Sequence, residues 1–423
     1  MFRVNSEQRL ADAAGGEHLT LPISLVREFS PEALAVMEFA AQSEIDVCRK
    51  MYSPYPKFGE KIAGVPNRVY MREVDMGNDR DLFTEEGDGL PVFEGRMVDL
   101  YDYRAKGYNS GRGRAAVWPD LPFGDPRKAI LPQWRIPEDR IPDKLIGRIN
   151  LYLYRIGFCD VASPTNERSL IAALIPPNTI CGDKVPTVVF ERGGPADMLL
   201  WLSVANSLTM DFIVRKKVAL KMSYTIMDSL PFPRDRRRTP GAEAIIARAF
   251  ALSAVGPEME DFRRSASNSP GVPQGVSPAE NQEIRAHLMA EIDALVAHEV
   301  FGLTRDELRY VLDPDNLLGE GSGVETFKAL RNREKRQLGD IGHSGSCWRR
   351  GTASSTMAHS AVVRADIDPA APPEARSDLL VRELRSLYRR DLGFATSTAM
   401  IGPCLSATFR HPGQSGNWIA ALW

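Results

Sequence analysis

The spacing of apolar residues predicts two long helices and a set of short strands. Apolar residues recur three and four positions apart over residues 31–53 and again over 196–218, which is the spacing of one buried helix face. The second segment is the more apolar and predicts the strongest helix of the chain. Short extended runs separated by turn residues fill residues 149–190, and these predict the strands of a mixed sheet.

Two capping motifs predict a pair of helices over residues 277–312. In the sequence SPAE, Ser277 is placed as the helix cap and Glu280 as the residue that closes a capping box. Thr304 and Glu307 repeat this arrangement in the sequence TRDE. Both motifs precede apolar residues at helical spacing, so this segment is expected to pack against the core rather than to form a site.

Composition places the chain among globular proteins of two or three domains. It has 423 residues, of which 43% are hydrophobic and 26% are charged. No apolar run approaches the ~18 residues of a membrane span, and the first residues lack the apolar core of a signal peptide. The five cysteines are scattered without a Cys-x-x-Cys pair, which argues against a disulfide framework or a structural zinc site and indicates a reducing cytoplasm.

Charge is distributed unevenly along a chain whose net charge is −2. Residues 211–238 carry eight cationic and three acidic side chains, which gives this short segment a net charge of +5. Such a cluster is either a solvated helix end followed by a charged loop, or a surface that contacts phosphates. Composition alone leaves both interpretations open.

Motifs of several enzyme classes are absent from the sequence. There is no Gly-rich loop after a strand to hold S-adenosylmethionine, and no Asn/Asp-Pro-Pro-aromatic element to receive a flipped base. A P-loop, a Gly-x-Ser-x-Gly elbow and a His-Glu-x-x-His motif are also missing. Asp315, Glu325 and Lys328 occur in the order of a metal-dependent nuclease, but the last two are three positions apart instead of two, which disfavours a shared metal site.

Five stretches, in this order, resemble one protein family. They are REVDMGNDRDLF, GLPVFEGRMVDLYDYRAKGY, YRIGFCDVASPTNERSLIAALIPP, LLWLSVANSLTMDFIVRKKV and MDSLPFP. Together they are similar to the C-terminal, target-recognition half of large adenine-specific DNA methyltransferases, which include Type IIG restriction–modification enzymes and the methyltransferases of the BREX and DISARM phage-defence systems. The resemblance covers roughly residues 30–340.

The residue pattern and the resemblance together predict a mixed α+β fold, namely a target-recognition domain with a short-stranded mixed sheet and packed helices, followed by a C-terminal tail that is expected to be disordered because it lacks periodicity. The resemblance implies the DNA-binding part of a site-specific adenine DNA methyltransferase, with duplex DNA and a methyltransferase catalytic domain or subunit as partners. Composition predicts a location in the cytoplasm, without a membrane. No cofactor is expected on this chain, whereas the complete enzyme uses S-adenosylmethionine. The alternatives are a non-enzymatic split subunit that docks a separate methyltransferase, and an independent nuclease.

Pattern and resemblance together divide the chain into five parts. These are an N-terminal helical connector (1–60), a target-recognition domain (61–250), a linker (251–276), a helical segment (277–340) and an atypical, disordered tail (341–423). The family's catalytic half has no counterpart in this chain, and the family's ending is lost after Ile341. We therefore expect a truncated or frameshifted gene, or one half of a split enzyme.

The resemblance also selects candidate DNA-binding residues on and after the apolar helix. The candidates for phosphate contact are Arg215, Lys216, Lys217 and Lys221. The residues expected to hold the adjoining loop by hydrogen bonds are Asn206, Ser207 and Asp211.

Two further segments offer candidates with two possible roles each. Asn166 and Arg168, in the sequence TNER, either contact DNA or order the turn before a strand, and the structural role is favoured. Arg96 and Arg104 lie among aromatic residues, and this basic and aromatic mixture suits DNA and a domain interface equally well.

Overall fold

The fold combines two small sheets with packed helices, which confirms the predicted mixed α+β class. The computed structural model describes residues 19–146, 153–312 and 326–330. The strands are β1 Asn67–Met71, β2 Leu90–Phe93, β3 Arg135–Ile136, β4 Arg155–Phe158, β5 Ala172–Ile175, β6 Ile180–Cys181 and β7 Thr187–Glu191. One sheet is antiparallel with the order β1-β7-β4-β5, and the other has the order β3-β2-β6 with β2 and β6 parallel.

Helices of very different lengths surround these sheets. The α-helices are α1 Ile23–Phe29, α2 Gln42–Tyr52, α3 Asp143–Ile146, α4 Pro195–Asn206, α5 Leu208–Arg215, α6 Tyr224–Asp228, α7 Ala242–Ser253, α8 Glu260–Ser267, α9 Gln282–Leu295 and α10 Arg305–Leu312. A π-helical turn, Val296–Val300, extends α9. Short 3₁₀ turns occur at Arg80–Leu82, Gly95–Met97, Gly113–Ala115, Glu138–Arg140, Arg236–Arg238 and Pro257–Met259.

The centre of the antiparallel sheet is buried on both faces. All four residues of β4 and all four of β5 are buried. Strand β5 is a continuous apolar run, whereas β4 begins with Arg155, whose charge is buried against Glu73. A Cβ atom at Gly157 in β4 would lie 2.8 Å from side-chain atoms of Ile175 and Val185, so only glycine fits this close approach. Helix α4 packs against this sheet and against α7, and nearly all of its side chains are buried.

The helix predicted over residues 196–218 is divided at Ser207 into α4 and α5, which are bent by 59°. Ser207 has an extended backbone, with φ −72° and ψ 148°, and its side chain accepts a hydrogen bond from the Met210 amide. This local cap starts a second helix where apolar spacing predicted a continuous one. Among the described residues no single helix is long and apolar enough to cross a membrane. The bent pair α4 and α5 reaches that length and composition together, and both helices are buried.

The predicted helix over residues 31–53 is correct only in its second half. Helix α1 ends at Phe29 and α2 begins at Gln42. Leu34, between them, has a left-handed φ of 46°, a conformation that a right-handed helix does not contain. The chain therefore turns within the segment that apolar spacing assigned to one helix.

One of the two predicted capping motifs is confirmed. A side-chain oxygen of Glu307 accepts a hydrogen bond from the Thr304 amide at 2.6 Å, and the Thr304 hydroxyl accepts one from the Glu307 amide at 3.3 Å, ahead of α10. The other motif is displaced: α9 begins after Asn281, whose side chain caps it, rather than after Ser277. The amide of Ala279 donates to Ala251 on α7, so the SPAE segment is held against α7 before the helix starts.

Residues 251–276 belong to the packed fold rather than to a linker. They contain α8, whose Phe262 is 1% exposed and lies in the main core cluster. The ring of Phe262 is 5.2 Å from that of Tyr154 and 6.2 Å from that of Phe250. The Ser, Pro and Gly content of this region reflects a turn-rich path over the surface, but Phe262 and Val272 anchor that path in the core.

Several expectations fall outside the part of the chain that the structure describes. The helical segment 277–340 is described only to residue 312 and over 326–330. Asp315 and Glu325 of the nuclease-like arrangement, and the whole predicted tail 341–423, lie outside the described residues.

Candidate nucleic-acid interface

An open cleft of about 1040 Å³ lies where several strands end. Its walls are the loops that follow β2, β4 and β6, together with one face of α9. Because β2 and β6 run parallel, the loops that follow them leave the sheet at the same edge. The end of β4 joins them, since the Asp160 amide donates to the Lys184 carbonyl at 3.0 Å. Strand order therefore gathers segments that are far apart in sequence.

Three cationic side chains line the cleft and remain partly exposed. Arg96 follows β2, Lys184 follows β6, and Lys106 lies in the loop between β2 and β3; their side chains are 44%, 45% and 40% exposed. Each has an acidic neighbour. Arg96 is 3.7 Å from Glu94, Lys106 is 2.6 Å from Asp120, and Lys184 is 2.7 Å from Asp183. The cations of the cleft rim are thus all paired, but only Asp120 is itself largely exposed, whereas the carboxylates of Glu94 and Asp183 are 18% and 12% exposed.

Other charged groups of the cleft are engaged within the protein. Asp102 forms an ion pair with Lys128 at 2.7 Å, and Asp293 accepts a hydrogen bond from the Leu208 amide at 2.7 Å. The buried Arg285 lies 3.6 Å from the centre of the Phe123 ring and donates to backbone carbonyls. Burial lowers the pKa of Arg285 to about 10. These contacts support the floor of the cleft.

A second cavity of about 270 Å³ adjoins the cleft, because Met76, Glu94 and Arg96 line both. The second cavity adds Arg80 and Arg112, together with two aromatic residues, Phe83 and Trp134. Arg112 is 76% exposed and 2.7 Å from Glu85. Beside the shared wall, the guanidinium of Arg96 lies 5.0 Å from the centre of the Trp118 ring, which orients it. Both cationic and aromatic side chains therefore line the joined cavities.

Arg215, expected to contact phosphates, is instead an internal arginine. Its guanidinium donates to the carbonyls of Pro164, Glu167 and Thr326, and it is 3.0 Å from the buried carboxylate of Asp211. Its donors are occupied by groups of the protein itself, so a phosphate would have to replace several buried bonds. The prediction that Arg215 contacts phosphates is therefore wrong.

Lys216 and Lys217 are also held inside the fold. Lys216 is 2.9 Å from Glu44, and the two side chains are only 9% and 2% exposed. Lys217 donates to the Phe29 carbonyl and to the Ser229 hydroxyl. Burial lowers the pKa of Lys217 to about 8. The prediction that these cations form a solvent-facing cluster at the end of the helix is therefore wrong. Both side chains are held inside the fold by partners that are distant in sequence.

The remaining candidates are two residues that line the cleft, one buried residue and one exposed residue outside the cleft lining. Asn166 is exposed in the cleft wall. Arg168 lines the cleft, but its side chain is only 9% exposed, donates to the Asn206 carbonyl and lies 3.6 Å from Asp211, which agrees with the structural role favoured for it. Arg104 is 4% exposed and donates to the carbonyls of Lys128 and Val255, which is a structural role. Lys221 is exposed near the end of β4. Together with Arg96, the cleft thus brings together three of the eight predicted residues.

The predicted structural role of the polar residues on the apolar helix is confirmed for Asp211 and Asn206, whereas Ser207 bonds only Val204 and Met210 at the helix junction. One carboxylate oxygen of Asp211 accepts hydrogen bonds from the amides of Ser169 and Leu170, at 2.8 and 3.0 Å. The Asn206 side chain bonds both the amide and the carbonyl of Ala172 in β5. These bonds fix the TNER loop on the wall of the cleft.

Sequence reasoning missed Lys106, Lys184, Arg80 and Arg112. Each is an isolated cation beside an acid or a turn residue, which is the commonest surroundings of a solvated surface charge. No local pattern distinguishes them, since they converge only through strand order. Among the described residues there is also no group of three His, Cys, Asp or Glu side chains placed to hold a metal ion.

No protein-family model matches this chain, and no curated protein matches it. The relationship to adenine-specific DNA methyltransferases therefore stays an expectation from the five sequence stretches.

Proposed function

We propose that this chain is the DNA-binding, target-recognition part of a site-specific adenine DNA methyltransferase of a restriction–modification or phage-defence system. The observation that carries the proposal is the cleft, where Arg96, Lys106 and Lys184 present partly exposed cationic groups beside a second cavity that contains cationic and aromatic residues. Such a mixture suits the backbone and the bases of a nucleic acid.

The resemblance and the geometry both support the cleft as the DNA-binding surface. Four of the five stretches that resemble target-recognition halves contribute to the cleft wall: the segment after β1, through Met76, the loop after β2, the loop after β4, and the junction of α4 and α5. The stretches that resemble the family therefore include residues that line the cleft as well as residues of the core.

The exposed ion pair of Lys106 and Asp120 on the rim suits exchange of a carboxylate for a phosphate. A pair of this kind stabilises a folded protein by only ~0–1 kcal/mol. Contact with a DNA phosphate also releases condensed counterions, which favours binding at low salt. Asp120 therefore holds Lys106 in place without competing strongly with DNA, and Arg96 and Lys184 keep partly exposed cationic groups beside their acidic neighbours.

The chemistry of methyl transfer belongs to another part of the enzyme. The complete methyltransferase binds duplex DNA in the cytoplasm, flips an adenine and transfers a methyl group from S-adenosylmethionine. This chain supplies sequence recognition and part of the DNA clamp. A methyltransferase catalytic domain or subunit is its expected partner.

Salt-dependent DNA binding tests the proposal. The double variant Lys106→Ala/Lys184→Ala removes two rim cations, and Arg49→Ala/Arg264→Ala removes two cations that are exposed and paired with a neighbouring Asp but line neither cavity. In fluorescence anisotropy with labelled duplexes, the rim variant should lower the slope of log affinity against log salt by about 0.9 per contact. The control variant should leave the slope unchanged.

Two results would count against the proposal. If the unmodified chain does not bind duplex DNA at low salt, DNA recognition is not its function. If both double variants change the slope equally, binding is a general effect of net charge and the cleft is not the site.

A further inference from the structure

Glu94, on the wall shared by the two cavities, has a carboxylate oxygen without a hydrogen-bond partner. Its Oε1 atom is shielded from water, and no donor of the described residues bonds it. Its ion-pair partner Arg96 places Nε 3.7 Å from Oε2, which is beyond hydrogen-bond distance. Burial raises the pKa of Glu94. The folded protein therefore carries the cost of a poorly solvated carboxylate that no internal donor offsets.

Two polar neighbours of the second cavity are, by contrast, bonded within the protein. Gln133 donates to Glu85 at 3.3 Å, and Arg112 donates to both carboxylate oxygens of Glu85, at 3.1 and 2.7 Å. Among the described residues that line this cavity, Glu94 is the acidic one. A buried polar atom without a partner calls for an explanation, such as a bound water, an ion or a functional contact. A donor that a ligand supplies would satisfy Glu94.

The Glu94 carboxylate is within reach of such a ligand. Its side chain lines both cavities and is 18% exposed, and rotation about its terminal torsion, which is broad and roughly two-fold, exchanges the two oxygens. Cations and aromatic rings line the same second cavity: Arg80, Arg96, Arg112, Phe83 and Trp134. A matching ligand has negative charge for the cations, flat faces for the rings and an N–H donor for Glu94. The bases and phosphates of DNA together meet these three requirements.

Carboxylate chemistry restricts which bases can lie against Glu94. On the major-groove edge, cytosine and adenine present amino groups, N4 and N6, whereas thymine and guanine present carbonyl oxygens, O4 and O6. A carboxylate accepts from an amino group, and it repels a carbonyl oxygen because neither group has a proton to donate.

We propose that Glu94 accepts a hydrogen bond from the exocyclic amino group of a cytosine or adenine, and thereby excludes guanine and thymine at one position of the recognition sequence. This inference rests on the proposed function and deepens it, because it names a residue that distinguishes bases. The cations of the joined cavities contact the neighbouring phosphates, which position the duplex without specifying its sequence.

Selection of duplexes from a randomised pool, by the unmodified chain and by Glu94→Gln, tests the inference. Glutamine has the shape of glutamate, but its amide donates as well as accepts, so it no longer repels a carbonyl oxygen. The matched control is Glu60→Gln. Glu60 also lies 3.7 Å from a cation, Lys57, but it lines neither cavity. Melting temperatures of the variants show that each is folded.

The unmodified chain and the control should select sites in which one position is restricted to cytosine or adenine. At that position Glu94→Gln should lose about tenfold of the discrimination against guanine and thymine, measured with labelled duplexes, and its preferences at other positions should be unchanged. Base analogues provide a second measurement with the unmodified chain. Purine in place of adenine, or 2-pyrimidinone in place of cytosine, lacks the amino group and should weaken binding about tenfold at that position.

Three results would overturn the inference. The first is unchanged specificity of Glu94→Gln at every position, which includes the case in which the carboxylate binds only a water or an ion. The second is an equal change of affinity for all duplexes, which indicates a structural or general electrostatic role. The third, which needs no variant, is equal binding of the analogue and parent duplexes. If the unmodified chain selects no duplex, the proposed function itself fails, and the two failures are therefore distinguishable.

Discussion

Asp211 on α5 accepts a hydrogen bond of 2.8 Å from the backbone amide of Ser169, across 42 positions of sequence. The same carboxylate bonds the Leu170 amide and lies 3.0 Å from Arg215. One buried side chain thus joins the apolar helix to the loop that carries Asn166 and Arg168 to the cleft. The cleft wall depends on this internal contact.

Replacing Asp211 should destabilise the protein strongly. Asp211→Ala leaves two buried amides unpaired and the buried Arg215 without its carboxylate, so we expect a loss of ~3–5 kcal/mol in the free energy of unfolding. Urea denaturation of the variant and of the unmodified protein measures this loss of free energy. The matched control is Asp46→Ala, which breaks an exposed pair with Arg49 and should cost less than ~1 kcal/mol. Equal losses in the two variants would contradict the structural role of Asp211.

Lys217 should make stability depend on pH in the alkaline range. Burial lowers the pKa of Lys217 from 10.5 to about 8, so between these values the unfolded chain binds a proton that the folded protein does not. The free energy of unfolding therefore rises with pH across that window, by about 1 kcal/mol per pH unit. Below pH 8 the folded protein carries the full cost of burying the charged Lys217 ammonium.

The comparison with Lys217→Met isolates this effect from other titrating groups. Denaturant unfolding of both proteins between pH 8 and 10.5 should show the unmodified protein gaining stability relative to the variant as pH rises. A difference that stays constant with pH would mean that Lys217 keeps its ordinary pKa and faces solvent. With that result, Lys217 would again be a candidate for phosphate contact.

Glu73 and Arg155 should behave as a coupled buried pair. Both side chains are fully buried, and the guanidinium bonds the two carboxylate oxygens at 2.6 and 2.9 Å. Glu73→Gln leaves the Arg155 charge unpaired and should cost ~3–5 kcal/mol. In the double variant Glu73→Gln/Arg155→Met no buried charge remains, so part of this loss should be recovered. A double variant whose loss equals the sum of the single losses would exclude coupling.

The purified chain should not methylate DNA by itself. The sequence has neither a Gly-rich cofactor loop after a strand nor a Pro-Pro-aromatic element for a flipped adenine. Incubation with labelled S-adenosylmethionine and duplex DNA should therefore transfer no label. Transfer by the chain alone, lost on changing a residue of the chain, would contradict the assignment as a recognition part.

Local sequence patterns correctly predicted elements that are stabilised by contacts between residues close together in the sequence. The Thr304 and Glu307 box precedes α10 because both hydrogen bonds lie within four residues. The short extended runs between turn residues correctly indicated strands of a mixed sheet, among them β4 and β5. Asn206 and Asp211 were identified as structural because polar groups on a buried helix need hydrogen-bond partners.

The direction of long cationic side chains was decided by tertiary structure alone. The sequence ends an apolar helix in Arg215, Lys216 and Lys217, and this pattern is compatible with a solvated end or with a phosphate site. The partners that bury them, such as the Thr326 carbonyl and Glu44, lie more than a hundred positions away. Arg96 and Lys184 meet for the same reason, because parallel pairing of β2 and β6 brings their following loops to one edge. Contacts over such separations depend on strand order and packing, which no local pattern of residues encodes.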